Sequence, residues 1–136
     1  MTKRYLDKLT YDVVGAAIEV HKATGPGLLE SVYHRCMKHE LTRRKIRFRT
    51  ELSVPVQFKG IVLETELRCD LFIEGCLAVE LKAVGDLLPV NEAQLMTYMK
   101  LLKAPKGILI NFNCTNIFKQ GQKTLVNDLY RRLPEE

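Results

Sequence analysis

The stretch CDLFIEGCLAVELKAV, from Cys69 to Val84, constrains the fold of this chain more than any other. Apolar residues alternate with others on both sides of Glu74-Gly75. Strand side chains alternate between faces. Leu67, Cys69, Leu71 and Ile73 therefore share one face of the first strand, and Leu77, Val79 and Leu81 one face of the second. Pairing these sets puts Ile73 opposite Leu77. Glu74-Gly75-Cys76 is left as a three-residue loop, a common hairpin length when it contains Gly. The other face is then fixed: Asp70 stands opposite Glu80, and Lys82 opposite Arg68. Directly opposed residues have Cβ atoms about 4.5–5.5 Å apart, and like charges so placed destabilise a sheet. Two facing carboxylates with an amine one pleat along are kept when something neutralises them. A divalent cation is one answer, since Mg2+ favours one or two carboxylates together with water and phosphate oxygens. The alternative is a solvent-facing surface on which Arg68 and Lys82 balance the acids.

Around this hairpin the patterning predicts an order α, α, β, β, β, α, β, α. Thr10 is placed to cap a first helix over residues 11–24, with Val13, Val14, Ala17, Ile18 and His21 at helical spacing. The TGPG segment ends it, because Gly25 suits a left-handed C-terminal position and Pro26 cannot continue a helix. A second helix spans about residues 28–45 with an apolar stripe of Leu29, Val32, Tyr33, Cys36, Met37 and Leu41. ELSVPVQF and IVLETELRCDLFI read as strands flanking a Lys59-Gly60 turn, with Pro55 marking an edge or a bulge. LAVELKAV is the third strand. NEAQLMTYMKLLK is a helix, GILINF a buried strand and QKTLVNDLYRRL a last amphipathic helix. An antiparallel meander followed by a β-α-β crossover gives a mixed α/β sheet with helices on its faces.

The 136 residues, 46% apolar and 27% charged, carry no linker-like or repetitive stretch, so a single domain over 1–136 is expected. No segment has the roughly 18 unbroken apolar residues of a membrane span, and MTKRYLDKLTYD lacks the apolar core of a signal peptide. A cytoplasmic protein is expected. The four cysteines show no C-x-x-C pair and no zinc spacing, and read as reduced thiols. The net charge of +5 is compatible with a polyanionic partner. RRKIRFR concentrates Arg43, Arg44, Lys45, Arg47 and Arg49. It is either a solvated helix end or a phosphate-contacting patch.

Asp70 on one strand, followed by Glu80-x-Lys82 on the next, resembles the signature of the PD-(D/E)XK nuclease superfamily, with Cys69 where a Pro usually precedes the Asp. QLMTY supplies Gln94 and Tyr98 with the spacing of the recombination-nuclease branch. GLLESVY supplies Gly27, Glu30 and Tyr33, which resembles the G-x-x-E-x-x-Y signature of a family of small bacterial proteins. The resemblance extends from about Tyr11 to Phe112. It implies a restriction-endonuclease-like αβββαβ core, and a Mg2+ or Mn2+ ion held by Asp70 and Glu80, with the Leu81 carbonyl and Glu30 as further ligands. It implies a phosphodiester hydrolase acting on nucleic acid, with DNA the expected polymer, and a homodimer or protein partner to grip a duplex.

Each implied role has a plain counterpart. Lys82 would stabilise charge on the phosphorus or orient water. Glu30 could instead only complement its helix dipole, and Tyr33, on the apolar stripe, could instead be core. Gln94 could reach back to an Asn91 cap or hydrogen-bond near Lys82 or a phosphate. Tyr98 would face away from Leu95 and Met99, free to stack on a base or hold a phosphate. His21 reads as a packed or rim residue. No nucleophile elbow or Gly-rich phosphate loop is present. Two other readings stand beside the nuclease: a nucleic-acid-binding or regulatory module that does not cleave, and a structural or protein-interaction domain whose acids form an ion-pair surface.

Overall fold

The computed structural model describes residues 1–136. Helix α1 runs Lys3–Thr24, eight residues longer at its start than the sequence pattern predicts. Thr2, not Thr10, is the cap, accepting from the Tyr5 amide at 3.0 Å. Thr10 lies inside the helix and donates its hydroxyl to the Leu6 carbonyl. The apolar stripe explains the extension: Leu6, Leu9, Val13, Ala16, Ala17 and Val20 are all buried at helical spacing. Helix α2, Glu30–Arg43, is shorter than predicted. Leu29 is 73% exposed and precedes it, and only Tyr33, Met37 and Leu41 of the expected stripe are fully buried.

The predicted meander divides into more pieces. ELSVPVQF contributes to β1 (Phe48–Ser53) and β2 (Val56–Phe58), and the next run splits into β3 (Ile61–Leu63) and β4 (Arg68–Ile73). Pro55 lies at the break, where the chain leaves the main sheet. The β2–β3 hairpin turns at Lys59-Gly60, with Phe58 opposite Ile61, and forms a separate two-stranded sheet. β5 (Leu77–Lys82), α3 (Pro89–Leu102) and β6 (Lys106–Asn111) follow. The segment read as a final helix is instead strand β7 (Gln122–Val126) and the single-turn helix α4 (Asp128–Arg131). Leu125 and Leu129 have helical spacing, but β6 has an open edge that 122–126 fills antiparallel. The Asn127 side chain then caps α4.

The main sheet has the order β1-β4-β5-β6-β7, with β5 and β6 parallel and the other pairs antiparallel. It is the mixed sheet flanked by helices expected of a restriction-endonuclease-like fold. Its two faces hold separate cores. Leu71, Ile73, Leu77, Val79, Leu81, Ile108 and Ile110 pack under α1 and α2. Phe72, Ala78 and Leu109 pack with Leu95, Tyr98 and Met99 of α3. Fully burying each such aliphatic side chain contributes roughly 1.5–3 kcal/mol. No helix is long and apolar enough to cross a membrane, and all four cysteines are free thiols.

Candidate active site

The hairpin register agrees with the pattern as far as Ile73↔Leu77 and Leu71↔Val79. There the ladder stops. The next rung, Asp70 and Glu80, is held by side chains instead. Leu81 donates its amide hydrogen to Asp70 Oδ2 at 2.8 Å, and the Asp70 amide approaches Glu80 Oε1 at 3.4 Å. β4 also changes face at this point. Cys69 and Leu67 pack with the α3-side core, whereas Leu71 and Ile73 pack on the α1/α2 side. The single shared face predicted for these four residues is therefore broken at Asp70. Lys82 stands beside Asn111 of β6, and Arg68 turns away to the Thr65 and Leu67 carbonyls.

Glu80 is 3% exposed, covered on the α3 side. This goes against the alternative of a solvent-facing surface for Glu80, while Asp70 is half-buried. The Glu80 carboxyl is pushed up to about 9, first by burial and then by the charge of Asp70, with Lys82 acting in the opposite sense. Neither acid, nor Arg68, nor Lys82 enters any of the nine ion pairs. The balanced ion-pair surface is thus not what these residues form.

Glu30 opens α2 and lies near the same groups. Partial desolvation holds its carboxyl above the usual carboxylate range, Lys82 draws it down, and Asp70 pushes it up. Glu30, Asp70 and Lys82 therefore share one neighbourhood, although no three His, Cys, Asp or Glu side chains sit closely enough to enclose a metal ion. The expected three-acid cage is not preassembled. What remains fits a hard divalent cation in part: two oxygen-donor carboxylates, one of them buried, with the other positions left to water and phosphate oxygens.

Helix α3 starts at Pro89, two residues before the predicted start. Asn91 is not its cap but reaches back to accept from the Leu88 amide at 2.8 Å. Gln94 is half-buried, and its side chain caps nothing. The sequence spacing turns Tyr98, one turn on, away from Leu95 and Met99. It is 3% exposed and packs with both, so its ring cannot stack on a base. The pKa of its hydroxyl is raised, by burial first and then by Glu80, Cys69 and Asp70, so it lies near the acid pair.

Tyr33 is core. It is fully buried and stacks on Phe112 with ring centroids 4.4 Å apart. Its hydroxyl donates to the Gly25 carbonyl, so it does not reach a substrate. His21 approaches the Cys114 carbonyl through Nε2 at 2.9 Å and belongs to the packing of α1, not to the site.

The arginines lie elsewhere. Arg43 ends α2, about 20 Å along the helix from Glu30 at 1.5 Å per residue. It lines the groove between α1 and α2 with Glu19 and Glu40. Arg44 pairs with Glu40 at 2.7 Å and reaches the Asp12 and Gly15 carbonyls, fastening α2 to α1. Arg47 pairs with Glu74 at the hairpin loop, at the opposite end of β5 from Lys82. The expected phosphate-contacting patch is thus divided and remote from the acids.

Two residues beside the acids gave no sequence signal. His34 lies one turn after Glu30, with Nε2 3.3 Å from the Asp70 carbonyl and Nδ1 3.3 Å from Glu51 Oε1. Glu51 belongs to β1 and has a left-handed φ of 50°. A Glu-x-x-x-His spacing at a helix start was visible, but nothing marked it as facing the sheet.

The sequence profile described as the PD-(D/E)XK nuclease superfamily matches residues 7–125. No curated protein matches the chain in sequence. Among solved structures, that of SSO0001 superposes with a TM-score of 0.53 at 20% identity, over 74% of this chain and 54% of that one. At that identity the likeness bears on the fold alone. The chain spans about half the length of that protein.

Proposed function

This chain belongs to the PD-(D/E)XK nuclease superfamily, and on that footing we propose that it is a nuclease dependent on Mg2+ or Mn2+ that hydrolyses phosphodiester bonds of DNA. The observation that carries this reading is the Asp70–Glu80 pair. A buried carboxyl raised to about 9 beside a second acid, with no cationic partner, is a costly arrangement. Such groups gather where chemistry needs them. The narrower placement in the G-x-x-E-x-x-Y family rests on Gly27, Glu30 and Tyr33.

When bound, a divalent cation supplies charge that polarises a phosphodiester and eases deprotonation of water. Asp70 and Glu80 would hold it, Asp70 being fixed by the Leu81 amide. Glu30, at the helix start and near Asp70 and Lys82, would orient water. Lys82, unpaired and half-buried on the same strand as Glu80, puts a positive charge where negative charge grows on the phosphate. Gln94, free of capping, donates to a phosphate oxygen. Tyr98, buried in the α3-side core, acts as an apolar wall beside Glu80.

A second reading, a nucleic-acid-binding module that does not cleave, is favoured by the absence of a three-ligand cluster. One experiment separates them. Titration calorimetry with Mn2+ is run beside cleavage of plasmid and branched DNA, for wild type, Asp70→Ala and Lys82→Ala. Mn2+ binding lost in Asp70→Ala, with cutting lost in both variants, supports the nuclease. DNA retention without cutting in wild type supports the module.

A further inference from the structure

Asp70 is the one residue of β4 absent from both neighbouring ladders. Towards β1, pairing runs through Thr50↔Leu71 and resumes at Leu52↔Cys69, omitting the rung that Asp70 and Glu51 would form. Towards β5, it ends at Leu71↔Val79. A mid-strand residue released on both sides must satisfy its amide and carbonyl otherwise. Glu80 Oε1 lies 3.4 Å from the amide, and His34 Nε2 lies 3.3 Å from the carbonyl. A carbonyl oxygen only accepts, so Nε2 carries the hydrogen. The other ring nitrogen lies 3.3 Å from Glu51 Oε1, a contact that attracts only when Nδ1 carries a hydrogen as well, and Glu51 takes a left-handed backbone beside the missing rung. A glutamate rarely takes that conformation, and strain of this kind persists where the surroundings fix it.

We propose that His34, oriented by Glu51, is a positioning residue that sets where the Asp70 carboxylate stands. The chain of contacts is continuous. Glu51 Oε1 abuts the imidazole at 3.3 Å, the imidazole holds the Asp70 carbonyl through Nε2–H, and the carboxylate of that residue meets the Leu81 amide. The imidazole is 15% exposed and comes from a different element, α2, so it ties the helix that carries Glu30 to the strand that carries Asp70. Removing a group that orients a metal-binding side chain from behind typically costs about 10–100-fold in metal affinity. The link to cation binding rests on the nuclease reading, but the positioning itself does not.

The test uses the whole chain in three forms: wild type, His34→Ala and His34→Gln, whose side-chain amide can donate where Nε2–H did. The first readout is the Leu81 amide proton resonance in metal-free protein, which reports the hydrogen bond to Asp70. The second is Mn2+ affinity by calorimetry. The expected result is an upfield move of the Leu81 resonance in His34→Ala, with Mn2+ affinity down about 10–100-fold and both restored in His34→Gln. Glu51→Gly, which suits the left-handed backbone but removes the carboxylate, should move the resonance in the same direction without lowering the melting temperature. A Leu81 resonance unmoved in folded His34→Ala overturns the proposal. A moved resonance with Mn2+ binding absent even in wild type leaves the positioning standing and removes the metal reading instead.

Discussion

Asp70 Oδ2 accepts the amide hydrogen of Leu81 at 2.8 Å, just beyond the point where the β4–β5 ladder ends at Leu71 and Val79. The side chain thus does structural work as well as whatever chemistry the site performs. Asp70→Asn separates the two. The amide oxygen of Asn can keep the Leu81 bond while the charge disappears. Stability in urea should change by about 1 kcal/mol or less, on the scale of one hydrogen bond. Mn2+ affinity should fall at least about tenfold, since a ligating charge is gone. A variant that binds Mn2+ like wild type would remove Asp70 from the cation site.

Lys82 makes no ion pair and is half-buried, so its removal should cost the fold little. Its place is next to Glu80, whose carboxyl it draws down. Lys82→Ala should retain Mn2+ binding within a few fold. Single-turnover cleavage should slow by about 100–1000-fold, the range for losing one transition-state donor. Cleavage at the wild-type rate would assign the amine to the packing of the strand end.

The alternation around Glu74-Gly75 was enough to give the β4–β5 pairing, because a one-residue slip would have turned Leu71, Ile73, Leu77 and Val79 out of the core. The same alternation misjudged Cys69, since period two assumes an unbroken strand and β4 turns over at Asp70. The break coincides with Glu51 on the neighbouring strand, where a positive φ on a glutamate has no sequence signature. The strand at 122–126 was hidden for a similar reason: the open edge of β6 decided it, against local helical spacing. One apolar stripe of Leu95 and Met99 on α3 leaves Tyr98 outside it. The sheet covers more of the helix than Leu95 and Met99 alone define. Ligand types were therefore legible, but their burial and support were not.

Tyr33 carries the last of a G-x-x-E-x-x-Y string yet lies wholly inside the core, stacked on Phe112 and bonded to Gly25. Tyr33→Phe should lose only the hydroxyl's two hydrogen bonds, to the Gly25 carbonyl and from the Leu28 amide, about 2 kcal/mol together, with cleavage unchanged. Tyr33→Ala should lose about 3–5 kcal/mol, the usual cost of emptying a buried aromatic site. Urea unfolding of both variants checks this. Loss of cleavage in a fully stable Tyr33→Phe would instead return the phenol to the site.

The raised carboxyl of Glu80 gives a signed pH dependence. Its ordinary value is 4.5 and its folded value about 9, so between these limits the folded protein holds a proton that the unfolded chain has released. Stability of the metal-free protein from this group is then full below about pH 4.5. It declines as pH rises, at up to about 1.4 kcal/mol per pH unit, and is gone above pH 9. Glu80→Gln is neutral at every pH and nearly the same shape, so its unfolding curve should lose this slope. By pH 8 it should be more stable than wild type. Cation binding has the opposite sense, because the carboxylate must give up its proton to bind. Mn2+ affinity of wild type should rise between pH 6 and 9. Calorimetry at pH 7 in buffers of different ionisation enthalpy should show release of nearly one proton per ion. Equal pH slopes for wild type and Glu80→Gln in urea, with EDTA present, would mean that Glu80 is ionised in the folded protein at neutral pH.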